Sequence, residues 1–244
     1  MTATSDQLTD AQLHDAVWRA LDTVVDPELD QPITELGFVR LCEVCDASVR
    51  VRLRLPTAFC APNFAYLMTG DAYDAVAALP QVREVDVRLE DHHDAERINA
   101  GVAAQAGFTD TYGVEANAEL DELRHTFRRK AHTACLERAC RRLLAEGWQI
   151  EGLAGLHLAD VPASPERSSL LRRRDDLGLS TSPDSPLLVD DEGNPVAAEQ
   201  VSMRLRFAQT VRVSIEGNAH FCRGLLATRY GDTDHAAVTG REAS

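Results

Sequence analysis

The chain has 244 residues, a formal net charge of -14, 44% hydrophobic residues and 26% charged residues. That balance excludes wholesale disorder, and the length is enough for one or two domains with a buried core. The negative field repels phosphate backbones, which excludes nucleic acid as an expected partner, and no run approaches the roughly 18 apolar residues of a membrane span.

The first seven residues are polar and lack the apolar core of a signal peptide, so the expected location is the cytoplasm. In that reducing compartment the six cysteines are expected as thiols, and the useful question is which of them meets a metal.

Thr9 and Gln12 have capping-box spacing ahead of Leu13, Ala16, Val17, Ala20, Leu21 and Val24, which predicts a first helix to about Val25. Pro27 and Pro32 bracket a loop, because proline removes a backbone donor and pushes the preceding residue out of the helical region. Gly37 opens a strand over 38–45, Asp46-Ala47-Ser48 reads as a turn, and residues 49–55 alternate strictly. Val49, Val51, Leu53 and Leu55 point one way, and Arg50, Arg52 and Arg54 the other, the pattern of a half-buried antiparallel strand.

After a loop at 56–60, helical spacing returns with Phe64, Met68, Ala72, Val76 and Leu79, and a third strand carries Val85, Val87 and Leu89 inward. The order is helix, strand, strand, helix, strand. It predicts an α+β fold: a small N-terminal domain over 1–92, followed by a mainly helical extension over 93–244. Within the extension, 115–146 is the longest helical candidate, with Leu120, Leu123, Phe127, Ala131 and Ala134 on one face. A Pro-rich wrap covers 162–195 around a short helix at 165–177. A last helix over 197–229 repeats Val201, Leu205, Ala208, Ile215, Ala219, Cys222 and Leu226.

Asp26-Pro27-Glu28-Leu29, Ile33 and Leu36-Gly37-Phe38-Val39 form one motif block. The alternating strand, Thr57-Ala58-Phe59-Cys60-Ala61-Pro62, a helix, and Leu79-Pro80-Gln81-Val82 before Val85-Asp86-Val87 form a second. Together, over residues 12–90, they resemble the SufT/PaaD-type family of metal-sulfur cluster assembly domains. The resemblance implies iron-sulfur cluster assembly or repair rather than catalysis, with Cys60 as the residue that contacts iron or cluster and the cargo held transiently. It also implies a client apo-metalloenzyme as partner, an oxygenase in the case of PaaD-like relatives. One departure stands out: Ala61 separates Cys60 from Pro62, where the family has Cys followed directly by Pro.

Read on its own, Cys60 lies at the predicted start of a helix, where free N–H groups and the positive dipole end favour the thiolate that binds soft metals. The alternative is a small buried hydrophobe. Asp26 and Glu28, two apart in a loop, either support a metal or cap a turn and pair with a cation, and Thr57 stands three residues before the cysteine.

Cys42 and Cys45 have knuckle spacing, but they face opposite sides unless the strand bends. The Glu-x-x-His pairs Glu90/His93 and Glu122/His125 lack the further inward carboxylates of a di-iron bundle. Arg212, Glu216 and His220 read as an exposed ion-pair ladder.

One thiolate cannot complete iron coordination, so further ligands must come from a second copy in a homodimer, a small thiol or the client. Two other readings remain from the sequence: a thiol-dependent enzyme with Cys60 as nucleophile and His92 or His93 as base, and a structural partner protein without metal.

Overall fold

The structure is a computed structural model that describes residues 9–113 and 117–231. The polar start of the chain, and the first two residues of the helix expected from 115, lie outside the described residues. The fold is α+β, with strands confined to the first part of the chain and helices dominating the rest. It divides into two compact units. One comprises the described residues up to Leu120 together with those from Asn218 onward, and the other spans Asp121–Gly217.

In the first unit, α1 (Asp10–Leu21) starts at the capping box legible in the sequence. The Gln12 amide donates to Thr9 Oγ1, the Thr9 amide donates back to Gln12 Oε1, and Leu13, Val17 and Leu21 are buried. A two-residue antiparallel pair follows, β1 (Val25–Asp26) with β2 (Gln31–Pro32). Gly37, with φ +74°, makes the left-handed turn that leads into β3, a conformation in which a Cβ would be strained.

β3 (Val39–Cys45) pairs antiparallel with β4 (Ser48–Arg54), and β4 pairs parallel with β5 (Glu84–Glu90), so β4 is the central strand. The parallel pairing needs a crossover, and α2 (Pro62–Ala77) supplies it, burying Ala65, Met68, Ala72 and Val76. Val49, Val51, Leu53 and Leu55 are all buried, as their alternation requires. Arg54 departs from the alternation because it is buried instead of solvated, its guanidinium lying 4.2 Å over the ring of Tyr230. α3 (Ala95–Ala103) and α4 (Phe108–Tyr112) complete this part of the unit and place Phe108 against Tyr66.

The second unit is built on α5 (Asn117–Ala145), α6 (Pro165–Asp175) and the first part of α7 (Val201–Tyr230). Leu136, Ala139, Cys140 and Leu143 of α5 pack with Leu153, Leu158, Leu170, Leu187 and Val201 in one core. Arg212 corrects the expected exposed ladder: it is buried, with Nε 2.5 Å from Glu137 and Nη1 2.6 Å from Glu216, so it ties α7 to α5. Arg129 and Arg204 meet on Asp191 in the same unit. The Pro-rich wrap is anchored rather than loose. Arg174, fully buried, donates to the carbonyls of Ser180, Pro186 and Leu187, while Leu187, Leu188 and Val189 are buried beside it. No helix among the described residues is long and apolar enough to cross a membrane.

Two expectations follow. Ala47 turns the β3–β4 hairpin at φ +66°, next to Asp46 at φ +50°, where a Cβ is strained. Ala47→Gly should therefore raise unfolding free energy by about 1 kcal/mol in urea titration, and a loss of stability would refute the strain. Arg174→Leu should strip three carbonyls, that of Leu187 buried, of their donor at a cost of about 3 kcal/mol, opening the segment after α6 to limited proteolysis that leaves the wild type intact. Equal resistance of the two proteins would show that the apolar anchors suffice.

Candidate functional site

Because β4 and β5 run parallel and in register, from Ser48 opposite Glu84 to Arg54 opposite Glu90, their carboxyl ends lie side by side. The loops that leave them must be neighbours. The loop after β4 carries Thr57, Phe59 and Cys60, and the loop after β5 carries His92 and His93.

His93 fixes the first contact twice: its amide donates to the Ala58 carbonyl at 3.0 Å, and its Nδ1 lies 2.8 Å from the same oxygen. His92 fixes the second, with Nε2 2.8 Å from the Cys60 carbonyl. The Asp94 amide donates to His92 Nδ1 at 3.2 Å, so in the neutral ring the proton sits on Nε2 and is given to Cys60. Burial holds the His92 imidazole below its ordinary pKa, against the carbonyl contact that raises it.

Cys60 itself is half-buried. It stands one residue outside the cap of α2: Ala61 is the N-cap, and Pro62 takes the first helical position, where its missing N–H costs nothing. The cysteine therefore ends the loop beside the helix start, as expected, with one residue between it and the first helical position. Ala61 is what sets it there, since it occupies the cap position itself. Thr57 Oγ1 lies 3.5 Å from Cys60 Sγ and also accepts from the Phe59 amide at 3.1 Å, which closes the loop on itself. Phe59 projects outward, 80% exposed, with its ring 5.6 Å from that of His93.

The Asp-Pro-Glu turn lies in the same unit. Asp26 is buried, and its Oδ1 accepts from the amides of Glu28 at 2.9 Å and Leu29 at 2.8 Å. It is a turn-former. Burial raises its carboxyl from an ordinary 3.8 to about 6, against the two amide bonds that lower it. Glu28 Oε1 accepts from Asn218 Nδ2 at 3.3 Å, so the last part of α7 lies on this turn.

Cys222, on that part of α7, was read from the sequence as an apolar-face residue. Its thiol is pushed up to about 11, first by burial and then by the negative charges of Asp26, Cys60 and Glu28, against the cation of Arg223, which lowers it. The periodicity that placed Cys222 on the inner stripe was its only sequence signal.

The other candidates lie apart. Cys42 and Cys45 sit on an unbroken β3, opposite Val51 and Ser48, so their sulfurs face opposite sides; burial pushes Cys42 up to about 12, and Cys45 is exposed. Glu90 pairs with Arg40 at 2.6 Å instead of with His93. Glu122 and His125 are exposed on α5. Among the described residues, no group of three or more His, Cys, Asp or Glu side chains could hold a metal ion. The geometry also weighs against His92 as a base, because its unprotonated Nδ1 already accepts from the Asp94 amide and Nε2 faces the Cys60 carbonyl rather than the sulfur.

A family model described as iron-sulfur cluster assembly protein matches residues 14–87. An uncharacterized protein of Methanocaldococcus jannaschii is 34% identical over 84 residues, which is 34% of this chain and 86% of that protein. The chain belongs to the iron-sulfur cluster assembly protein family through its first third. The assembly domain is also similar to iron-sulfur cluster carrier proteins. The Mycobacterium tuberculosis carrier is 38% identical over 89 residues, 36% of this chain and 23% of that one. The Mycobacterium leprae carrier is 35% identical over 88 residues, 36% of this chain and 22% of that one. The chain thus spans less than a quarter of the length of these mycobacterial relatives. No solved structure matches it.

The raised Asp26 carboxyl has a measurable consequence. The folded assembly domain holds that proton more tightly than the unfolded chain, so stability falls as pH rises through the window from 3.8 to about 6. Above it the penalty is fully present, at about 3 kcal/mol. Asp26→Asn keeps the acceptor for both amides and removes the ionisation. It should exceed wild type in urea-unfolding stability near neutral pH, with the difference closing at about pH 4. A variant less stable than wild type at both pH values would show that the carboxylate is not strained by burial.

Proposed function

We propose that this protein carries iron or an iron-sulfur cluster as transient cargo and passes it to a client apo-metalloenzyme, with Cys60 as the contact between protein and cargo. The observation that carries this reading is the loop geometry at the carboxyl ends of β4 and β5. The rings of two histidines contact main-chain carbonyls and fix the loop, while the thiol is left half-buried beside the start of α2. The donor is chemically suited to its cargo, since a thiolate is a soft ligand and prefers iron-sulfur clusters and soft cations.

A carrier must also let go. With few protein ligands, the remaining coordination positions fall to sulfide, a small thiol, a second copy in a homodimer or the client, and exchange among them is the delivery step. The relatives named as iron-sulfur cluster carriers support this class of function over catalysis. Client choice belongs, on this reading, to the helical unit at Asp121–Gly217, which lies outside the family-matched residues, and an oxygenase is the client class that PaaD-like relatives accompany. Asp26 and Glu28 act by shaping the turn in the same unit, and Thr57 by holding the Cys60 loop closed.

Anaerobic reconstitution with ferrous iron and sulfide tests the assignment. Wild type should take up iron with the visible absorption of sulfur-ligated iron, and Cys60→Ser should lose most of it. Without metal, Cys60 should be alkylated faster than Cys135, which is buried in α5. Iron uptake by Cys60→Ser at the wild-type level would end the proposal.

A further inference from the structure

Helix α7 reaches the Cys60 neighbourhood with its last three turns, and five contacts within the first unit hold it there. Asn218 Nδ2 donates to Glu28 Oε1 at 3.3 Å, and Arg223 donates to Gln31. Arg229 Nη1 donates to the Leu55 carbonyl at 3.2 Å and Nη2 to the Asp91 carbonyl at 2.7 Å. Tyr230 covers the guanidinium of Arg54.

These contacts bracket the site. Glu28 belongs to the Asp-Pro-Glu turn, Leu55 opens the loop that ends in Cys60, and Asp91 precedes the histidine that holds the Cys60 carbonyl. Cys222 lies one turn after Asn218 and two turns before Arg229, the spacing that puts all three on one side of the helix. It also lies between Ala219 and Leu226, both buried, so its side chain is on the packed stripe. The negative charges of Asp26, Cys60 and Glu28 act on its sulfur, opposed by the cation of Arg223.

Resting on the carrier reading above, we infer that Cys222 is a second thiol ligand for the cargo of Cys60, so that one chain grips a soft metal ion with two sulfurs from distant parts of its sequence. A core cysteine would be expected among apolar side chains alone. This one is half-buried on the side of α7 whose Asn218 and Arg229 contact the Asp-Pro-Glu turn and the two loops that flank Cys60. The chemistry balances without a redox step. A thiol that enters as S–H gives its proton to solvent as the sulfur–metal bond forms, and the metal keeps its oxidation state.

Two sulfurs account for two positions of a tetrahedral ion and leave two open, which suits cargo that must be handed on. The arrangement also gives α7 a role in loading, since it contributes a ligand from outside the residues matched by the family model.

Cobalt(II) titration of the full chain under anaerobic conditions reads the number of thiolates directly, through the intensity of the sulfur-to-cobalt charge-transfer absorption. Wild type should show the intensity of two thiolates, Cys60→Ser and Cys222→Ser about half each, and the double variant none. A metal-free readout uses dibromobimane, which fluoresces on bridging two neighbouring thiols. Wild type should fluoresce, with mass spectrometry placing the bridge at Cys60 and Cys222, and neither single variant should form that bridge. Full cobalt intensity in Cys222→Ser alongside its loss in Cys60→Ser would overturn the inference and leave the carrier reading intact, whereas full intensity in both would overturn both. Absence of the Cys60–Cys222 bridge in wild-type protein would overturn the inference without reliance on any variant.

Discussion

The parallel pairing of β4 with β5 is the constraint on which the rest of the assembly domain depends. A parallel pair cannot close through a tight turn, so the chain must leave β4, cross the sheet and return, and α2 is that crossing. The crossing needs an unwound stretch at each strand's carboxyl end, and the two stretches are adjacent because the strands pair in register. Thr57, Phe59 and Cys60 occupy one, and His92 and His93 occupy the other. In open sheets with parallel strands, the space beyond the carboxyl ends is where ligands bind, because loop backbone and helix starts there are not consumed by the ladder.

Charge and burial divide the labour around this point. His92 and His93 spend their ring protons or amides on backbone carbonyls, which makes them positioning groups for the loop instead of bases for the thiol. Asp26 is kept buried at a cost in stability near neutral pH because its oxygen closes the turn that Glu28 and Leu29 follow. Glu28 then faces α7 through Asn218. The result is a half-buried thiol on a fixed loop, in the same unit as a carboxylate-bearing turn, with the exposed ring of Phe59 stacked on His93. A permanent metal site would surround the ion with a full set of protein ligands, and no such group is found among the described residues.

The helical unit stands on a different principle. Beside its apolar core it carries buried cations: Arg212 on Glu137 and Glu216, and Arg174 on three carbonyls of the wrap. Such pairs specify one arrangement more than they add stability, because each must first be taken out of water. Arg212, which reads as a surface charge in the sequence, is internal for this reason.

The sequence by itself determined the local elements. The Thr9–Gln12 cap, the alternation from Val49 to Leu55, the spacing of Met68, Ala72 and Val76, and the two motif blocks gave α1, β4, α2 and the family, because each depends on residues within one turn or one strand of each other. Only the tertiary structure decided what depends on distant residues. Nothing local states that β5 runs parallel to β4, that Arg54 hides under Tyr230, that Arg212 reaches Glu137, or that His92 takes the Cys60 carbonyl. The same holds for Cys222. Its helical spacing showed only that it faces inward, and what it faces was set by where α7 comes to rest, through contacts with Glu28, Gln31, Leu55 and Asp91 that no periodicity within the helix encodes.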